Sequence, residues 1–439
     1  MSELIYANYP AALTAPLNQP TAALRLARLR EYAERFRARE FAPPTQTDYV
    51  NNHIHTIYSF SPYSPADAAY RAWLNGLATA GIMDHDSVSG AEEFLEAGRI
   101  LGIGATVGFE CRCSLAGTPY SGRRLNNPDQ EGVAYVACHG IPASRIHTVD
   151  RWLAPYRAKR EERNRRMVER INALTGGGAL ELDYERDVAT LSQSKHGGSV
   201  TERHLLYALT LKLLASAERG KAIVTLLKDK LAVDVTGKNR MMLLDASDIY
   251  YDYRLLGVLK SELVPNIYID ADAECPPLQE FVEFARSIGA IPAYPYLGDV
   301  SDSVTGDKKA QAFEDAFIDE LIPWLGGVGF LAVTYMPTRN TLPQLERLMG
   351  LCRDNDLFQI SGEDINTPFQ RFVCERLAER EFRHLIDSAW ALIGHERVSD
   401  RDQEAGMFSA KSVAAEPLLN KRIEGFAYLG RLGGGGAPS

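Results

Sequence analysis

The sequence predicts an α/β protein in which two blocks of β-α units flank an all-helical block. Three observations carry this expectation. From residue 48, short apolar runs alternate with helical patterns (YVNNHIHT, SPADAAYRAWLNGL, ATAGIMDHD, SGAEEFLEAGRILG, ATVGFECRCS), as parallel strands joined by helices do. Near residue 150 the text turns to helical spacing without strands. After about residue 266 the β-α signals return, in FVEFARSIGAIPAYPYLG, VGFLAVTYMP and FQISGEDINTP. The boundaries read from these changes are 1–45 for an N-terminal helical extension, 46–149 for the first β-α block, 150–265 for a helical insertion, 266–430 for the second β-α block and 431–439 for a flexible tail.

Each element has a local cause. Over residues 21–40, Leu26, Leu29, Ala33 and Phe36 share one helical face among arginines, and Pro43-Pro44 closes the segment. Glu31, Glu34 and Glu40 interrupt the basic face, so it reads as solvated. The run VAYVACHGIP (133–142) supplies a further strand. Residues 151–174 hold eight Lys/Arg against three Asp/Glu, place Met167, Ile171 and Leu174 at helical spacing, and stop at Gly176-Gly177-Gly178. Helices are predicted near 308–322 and through 343–354 in the second block.

Composition narrows the function. The chain of 439 residues is 24% charged and 45% hydrophobic, which excludes collagen, coiled coil and wholesale disorder. A net charge of -9 and a pI near 5.6 give no basic excess, so no stable nucleic-acid partner is expected. The longest apolar stretch, Leu321 to Met336, is broken by Pro323, Gly326, Gly327 and Gly329 and is too short to span a membrane. The N-terminus lacks the pattern of a secretory signal, and the six scattered cysteines read as thiols; a cytoplasmic address is expected.

The nine histidines carry the chemistry. His53 and His55 alternate at the end of a predicted strand, so both imidazoles can turn to one ion. Asp84-His85-Asp86 ends the second strand, Glu110 the third and His139 the fourth, and Asp364 follows the last in SGEDIN. C-terminal strand ends are where parallel α/β barrels build active sites. A lone pair of histidines or a strand-end carboxylate is weak, since Asp86 and Ser87 also suit a helix cap. Four strand ends in succession are harder to dismiss, and His53, His55, Glu110 and Asp364 describe a mixed nitrogen and oxygen site for a Zn, Mn or Fe type ion. In the insertion, Thr201-Glu202-Arg203-His204 opens a predicted helix whose N-terminus, with Arg203 and His204, suits a phosphate; the plainer reading is a Thr201 cap beside a solvated arginine. Arg123, Arg124 and Lys195 are weaker candidates for that task, and the RRLNNPDQ loop is expected near the mouth of the site.

Together N-H-I-H-T, G-I-M-D-H-D-S-V-S-G, G-F-E, the apolar strand ending in His, A-Y-P and G-E-D-I-N resemble the PHP (polymerase and histidinol phosphatase) family of metal-dependent phosphoesterases. The likeness covers residues 48–142 and 285–400, and GIMDHDSVSG is its most specific part. It implies a distorted (β/α)7 barrel of the PHP type with an inserted all-helical domain over the site, one to three divalent metals (Mn, Zn or Fe), and phosphoester hydrolysis by activated water. Carried over by position, His53, His55, Glu110 and Asp364 would hold a first metal, Glu110 and His139 a second, and His85 a third, with Asn366 as a further oxygen ligand. The family commonly has A-H-P where this chain has Ala293-Tyr294-Pro295, G-S-D-x-H where it has Gly362-Glu363-Asp364-Ile365-Asn366, and an Asp where Phe60 follows Ser59. Two imidazoles are thereby replaced, and Tyr294 is expected to turn its oxygen to the pocket with Asn366, favouring a harder ion there.

The resemblance thus implies a phosphoesterase for a small phosphorylated metabolite or nucleotide, with Asp84 or His85 as general acid or base and Arg203 and His204 gripping the phosphate. C-N bond hydrolysis by the same chemistry, or a noncatalytic metal-binding module, are the alternatives.

Overall fold

The computed structural model describes residue 13, residues 15–300 and residues 312–432. Of the predicted tail, residues 433–439 lie outside the described residues, as does the start of the helix expected at 308–322, whereas residues 431 and 432 close the last helix rather than opening a tail. Helix α1 (Ala22–Arg37) begins at Thr21, whose side chain accepts from the Leu24 N–H, and buries Leu29, Tyr32, Ala33 and Phe36. Its buried Arg25 pairs with Glu93 at 2.6 Å, tying the extension to the body.

The body is a mixed α/β structure around seven strands in sequential order: β1 (Val50–Ile54), β2 (Thr79–His85), β3 (Gly104–Ser114), β4 (Val133–His139), β5 (Ile291–Pro295), β6 (Ala332–Tyr335) and β7 (Phe358–Ser361). Helices α2 (Pro65–Leu74) and α3 (Ala91–Leu101) connect the first three, which run parallel. The sheet is not parallel throughout, however: β4 is antiparallel to β3 and to β5. The cause is the connection. Residues 115–132 hold no helix, and a return without a crossover helix brings the chain back beside β3 in the opposite sense.

The sheet nearly closes. The His55 N–H donates to the Ile365 carbonyl at 2.9 Å and the Ile365 N–H to the His53 carbonyl at 3.1 Å, while the Asn52 amide reaches the Ser361 carbonyl at 2.8 Å. Gly362 permits this seam, because a Cβ there would stand 2.6 Å from His53 Cβ and 2.8 Å from its backbone nitrogen.

Alternation then sorts the side chains. On the outer face, Ile82, Val107, Phe109, Val136 and Val333 pack against the surrounding helices. On the inner face, Met83, Ala137, Ile291, Ala293, Ala332, Phe358 and Ile360 form an apolar plug with residues of α12 (His384–Arg401) and α14 (Leu419–Leu432). Helices α9 (Leu278–Ser287), α10 (Ile318–Val328) and α11 (Leu342–Asp354) complete the second β-α block, and a short α13 (Ala410–Ala415) precedes α14. Within the described residues, the regular part of the helix expected at 308–322 starts only at Ile318 and runs on to Val328.

Between β4 and β5 the chain is helical: α4 (Ile146–Thr175), α5 (Glu202–Ser216), α6 (Lys221–Leu231), α7 (Gly237–Leu244) and α8 (Tyr251–Ile267). These share a separate apolar cluster that includes Ile171, Leu205, Leu209, Leu227, Leu255 and Leu259. Phe60, from the loop after β1, enters that cluster as a hydrophobic anchor. No helix among the described residues is long and apolar enough to cross a membrane. All six cysteines are free and buried.

Candidate metal centre

Pairing fixes which residues look inward. His85 stands opposite Glu110, and Glu110 opposite Ala137 of the inner plug, so these share the inner face with His53 and, further along β3, Arg112. Above the apolar plug the inner face therefore becomes polar. His53 Nε2 and His55 Nε2 are 3.2 Å apart, and Glu110 Oε1 lies 3.6 Å from the first, 3.4 Å from the second and 3.0 Å from His85 Nδ1.

These spacings test a metal. Nitrogen and carboxylate ligands sit about 2.0–2.2 Å from a zinc-type ion, so neighbouring ligand atoms of a tetrahedron stand roughly 3.4 Å apart. The three separations among His53, His55 and Glu110 bracket that edge. Among the described residues, these three form the one group of His, Cys, Asp and Glu whose ligand atoms all lie within 4.8 Å of one another. Asp364 Oδ1 stands 3.2 Å from His55 Nε2, a suitable fourth corner, yet it lies outside the tight trio.

Two buried nitrogens support the same reading. His139 Nε2 and His85 Nδ1 have no hydrogen-bond partner, the latter despite its closeness to Glu110, and such groups are costly to bury unless something meets them. Burial, with His53 nearby, pulls the His139 pKa down to about 3, and burial pulls His85 to about 3, so both rings are neutral at neutral pH. For Glu110, burial pushes the carboxyl up, but His85, His53 and His55 outweigh it and hold the pKa at about 2. Asp364 is likewise held below its ordinary range, against burial, by His55, His53 and Arg203. Glu110 and Asp364 are thus held as carboxylates and His85 and His139 as neutral imidazoles, the protonation states that ligands need. For His53, burial pulls the pKa down, but Glu110, Asp364 and Asp84 outweigh it and hold it above its ordinary value.

His139 reaches the pocket differently from the sequence expectation. Because β4 runs antiparallel, its C-terminal end is not at the same rim as those of β1 to β3; His139 pairs with Ile291 at the start of β5, deeper in the barrel. It belongs inside because it alternates with Ala137.

Tyr294 corrects the sequence expectation outright. Ala293, opposite Ala137, is the inward residue, so Tyr294 faces out into the layer between sheet and helices. Its hydroxyl donates to buried Glu314 at 3.3 Å, and no oxygen turns to the pocket. Asn366 does lie at the rim: its amide donates to Asp364 Oδ1 at 2.7 Å, and its oxygen accepts from Arg203 at 2.8 Å. That oxygen is already engaged by a guanidinium.

Arg203 reaches the rim from the N-terminus of α5, and its contact with Asn366 extends the chain through Asp364 to His55. His204 is buried and its Nδ1 accepts from the Thr201 N–H at 2.9 Å, closing the cap. Its ring meets Phe60 edge-on with centroids 5.0 Å apart. Asp84 accepts from the Thr56 N–H at 2.7 Å, from Thr56 Oγ1 at 2.6 Å and from Ser59 Oγ at 2.6 Å. Burial pushes its carboxyl above the ordinary range, and His55 with these donors pulls it back. The weaker phosphate candidates are not brought in. Arg123 lies over the Phe317 ring at 4.7 Å, Arg124 pairs with Glu131 at 3.8 Å, and Lys195 is exposed. In the RRLNNPDQ loop, Asn126 fastens β4 to β5 through the Tyr135 and Pro295 carbonyls.

Sequence reading missed a buried charge network beside this centre. Arg112, Arg160 and Arg163 meet Asp86, Glu202 and Glu274, with Arg160–Glu202 at 2.8 Å, Arg112–Glu202 at 3.0 Å and Arg163–Glu274 at 2.7 Å; Arg160 also pairs with Asp86 and Arg163 with Glu202. It joins β3, the loop after β2, α4 and the first turn of α5. The available signal was Arg112, an arginine alternating with Glu110 inside an apolar strand.

No family model matches the chain, and no curated protein matches it. Among solved structures, it is similar to an amidohydrolase from Chromobacterium violaceum with bound sulfate and no metal, at 16% identity and a TM-score of 0.50, covering 74% of this chain and 89% of that one. It also aligns with a protein from Bifidobacterium adolescentis assigned as a metal-dependent phosphoesterase, at 18% identity and a TM-score of 0.49, over 79% of this chain and 97% of the other. At such identities the first of these likenesses establishes a shared fold.

Proposed function

We propose that this chain is a metal-dependent hydrolase with a distorted (β/α)7 barrel of the PHP type, cleaving a phosphoester of a small phosphorylated metabolite or nucleotide. The observation that carries this is the trio His53, His55 and Glu110, spaced as ligands of one ion, with Asp364 beside them and a helix N-terminus bearing Arg203 above. In this reading His53, His55, Glu110 and Asp364 hold the first cation, Glu110 and His139 contribute to a second, and His85 to a third. Residues 46–149 and 266–430 form the barrel, and residues 150–265 the unit over its mouth.

A divalent cation bound there supplies Lewis acidity and acidifies water. The chain supplies the rest. Arg203, pointed at the rim from the positive end of α5, binds and orients a phosphoryl group, and Asn366 holds both Arg203 and Asp364 in register. His85, neutral and with Nδ1 3.0 Å from Glu110, can accept a proton or ligate. His204 positions the helix end through the cap rather than gripping the phosphate with Nδ1.

A second reading is hydrolysis of a C-N bond, favoured by the name of the amidohydrolase that shares the fold. The test is elemental analysis of protein purified without chelator, followed by phosphomonoester, phosphodiester and amide substrate panels. Bound metal with phosphoester turnover is expected. Turnover of amides alone would establish the second reading, metal without turnover a binding module, and absence of metal would overturn the proposal.

A further inference from the structure

We infer that Ser59 and Asp84 act as positioning residues that fix the proton of His55 on Nδ1, leaving Nε2 as a lone pair facing Glu110 and Asp364. This deepens the metal reading of the same site. The argument is a count of hydrogens. Ser59 Oγ lies 2.6 Å from Asp84 Oδ1 and 3.1 Å from His55 Nδ1. A hydroxyl has one hydrogen and two lone pairs. Asp84 accepts from the Thr56 N–H at 2.7 Å and from Thr56 Oγ1 at 2.6 Å, and the Tyr58 N–H, at 3.3 Å from Thr56 Oγ1, leaves that hydroxyl's hydrogen free for Asp84. Three donors thus converge on one carboxylate, and Ser59 spends its hydrogen there. Its oxygen must then accept, and the only hydrogen available to it from His55 is on Nδ1.

The consequence falls on the other side of the ring. With the Nδ1 hydrogen committed to Ser59, Nε2 is the nitrogen of His55 left to offer a lone pair to the pocket, 3.2 Å from His53 Nε2, 3.4 Å from Glu110 and 3.2 Å from Asp364. A proton on Nε2 would instead be shared among carboxylates and would bar ligation. All the residues concerned are buried: Thr56, Ser59 and Asp84 are fully so, and His55 is 1% exposed. Water therefore does not compete for the relay. Asp84 thereby acts at a distance, through Ser59, rather than as a general acid or base on substrate.

Long-range proton–nitrogen NMR on the full chain labelled with 15N-histidine, stripped of metal and taken to a pH at which the His55 signal no longer titrates, reads the tautomer directly, with His55→Gln used only to assign the signal. The parent should show His55 protonated on Nδ1. Ser59→Ala should give a mixture or the Nε2–H form and weaken Mn2+ or Zn2+ binding roughly 10- to 100-fold. Ser59→Thr, which keeps the hydroxyl, should restore both. Ser59→Ala is the primary variant because Asp84→Asn also loosens Thr56; an unchanged thermal melt shows that the fold survives. A parent His55 protonated on Nε2, or a Ser59→Ala protein with the parent's tautomer and metal affinity, would overturn the inference. An Nδ1–H tautomer in a protein that binds no metal would instead uphold the relay and sink the metal proposal.

Discussion

Replacing Glu202 with Gln tests how the helices between β4 and β5 are fastened to β3. In the native network three guanidiniums face three carboxylates, and Glu202 is the member that meets Arg112, Arg160 and Arg163 together. Gln keeps the shape but removes one charge, leaving three arginines against Asp86 and Glu274, and turns an amide NH2 toward guanidinium donors. Arg112, Arg160 and Arg163 have side chains only 3 to 5% exposed, so water cannot solvate the unpaired charge. Removing one partner of a buried ion pair costs about 3–5 kcal/mol; Glu202 is itself 18% exposed, which places the expectation near the lower end. Urea unfolding at neutral pH should show the loss. The arginines hold the Glu202 carboxyl well below its ordinary 4.5 despite burial, so its contribution is present above pH 4.5 and disappears as pH falls through the folded value. The two proteins should therefore converge in stability at acid pH. A loss below about 1 kcal/mol at neutral pH, the value of an exposed pair, would refute the claim that this network fastens those helices.

Other expectations follow from the same contacts. Arg203→Ala should raise KM and lower kcat for a phosphoester, by roughly 10- to 150-fold in kcat/KM if one charge-assisted hydrogen bond of about 1.5–3 kcal/mol is lost, with metal content unchanged; unaltered kinetics would remove Arg203 from the substrate site. His53→Ala should lower bound metal per chain by elemental analysis, and full occupancy would place the ion elsewhere. Tyr294→His, which puts an imidazole on the outward face, should add no metal, and extra metal would contradict the strand parity. Burial raises the Glu396 carboxyl to about 8, against donors from Thr106 and Val107, so folding holds its proton and stability declines as pH rises from 4.5 to about 8. At about 1.4 kcal/mol per pH unit that decline is capped near 5 kcal/mol, and Glu396→Gln, which cannot ionise, should flatten it in denaturation curves taken across that range.

Much of the fold was legible because β-α alternation and helical spacing are local. The trio His53, His55 and Glu110 was legible for a related reason, that parallel strands bring residues of matching height together, although Glu110 does not end its strand as expected: β3 runs on to Ser114, and Glu110 stands opposite His85 at the end of β2. What escaped was set by long-range pairing. The sense of β4 depends on whether residues 115–132 form a helix, and no periodicity there declares it. The Arg112, Arg160 and Arg163 network joins residues up to 162 positions apart, so the basic count over residues 151–174 gave no sign that Arg160 and Arg163 meet buried carboxylates. Likewise Gly394 and Gly430, where a Cβ would stand about 2 Å from a carbonyl of the facing helix, let α12 and α14 pack backbone to backbone, a contact invisible in either segment alone.

Tyr294 shows why a motif match must be tested against parity. In a strand, neighbouring residues face opposite sides, so a one-residue shift in which position looks inward exchanges a ligand for a core residue. The Ala-x-Pro frame in β5 resembles a ligand frame, yet Ala137 pairs with Ala293, and that pairing turns Tyr294 away. The inner position at this strand is small and apolar, adding to the apolar plug rather than to His53, His55 and Glu110. At the rim of β7 the outcome differs, because Gly362 lets the chain leave the strand against His53 and free itself from the alternation. Asp364 and Asn366 then reach back over the pocket from a loop, and it is there, not on β5, that substitution can change what the centre binds.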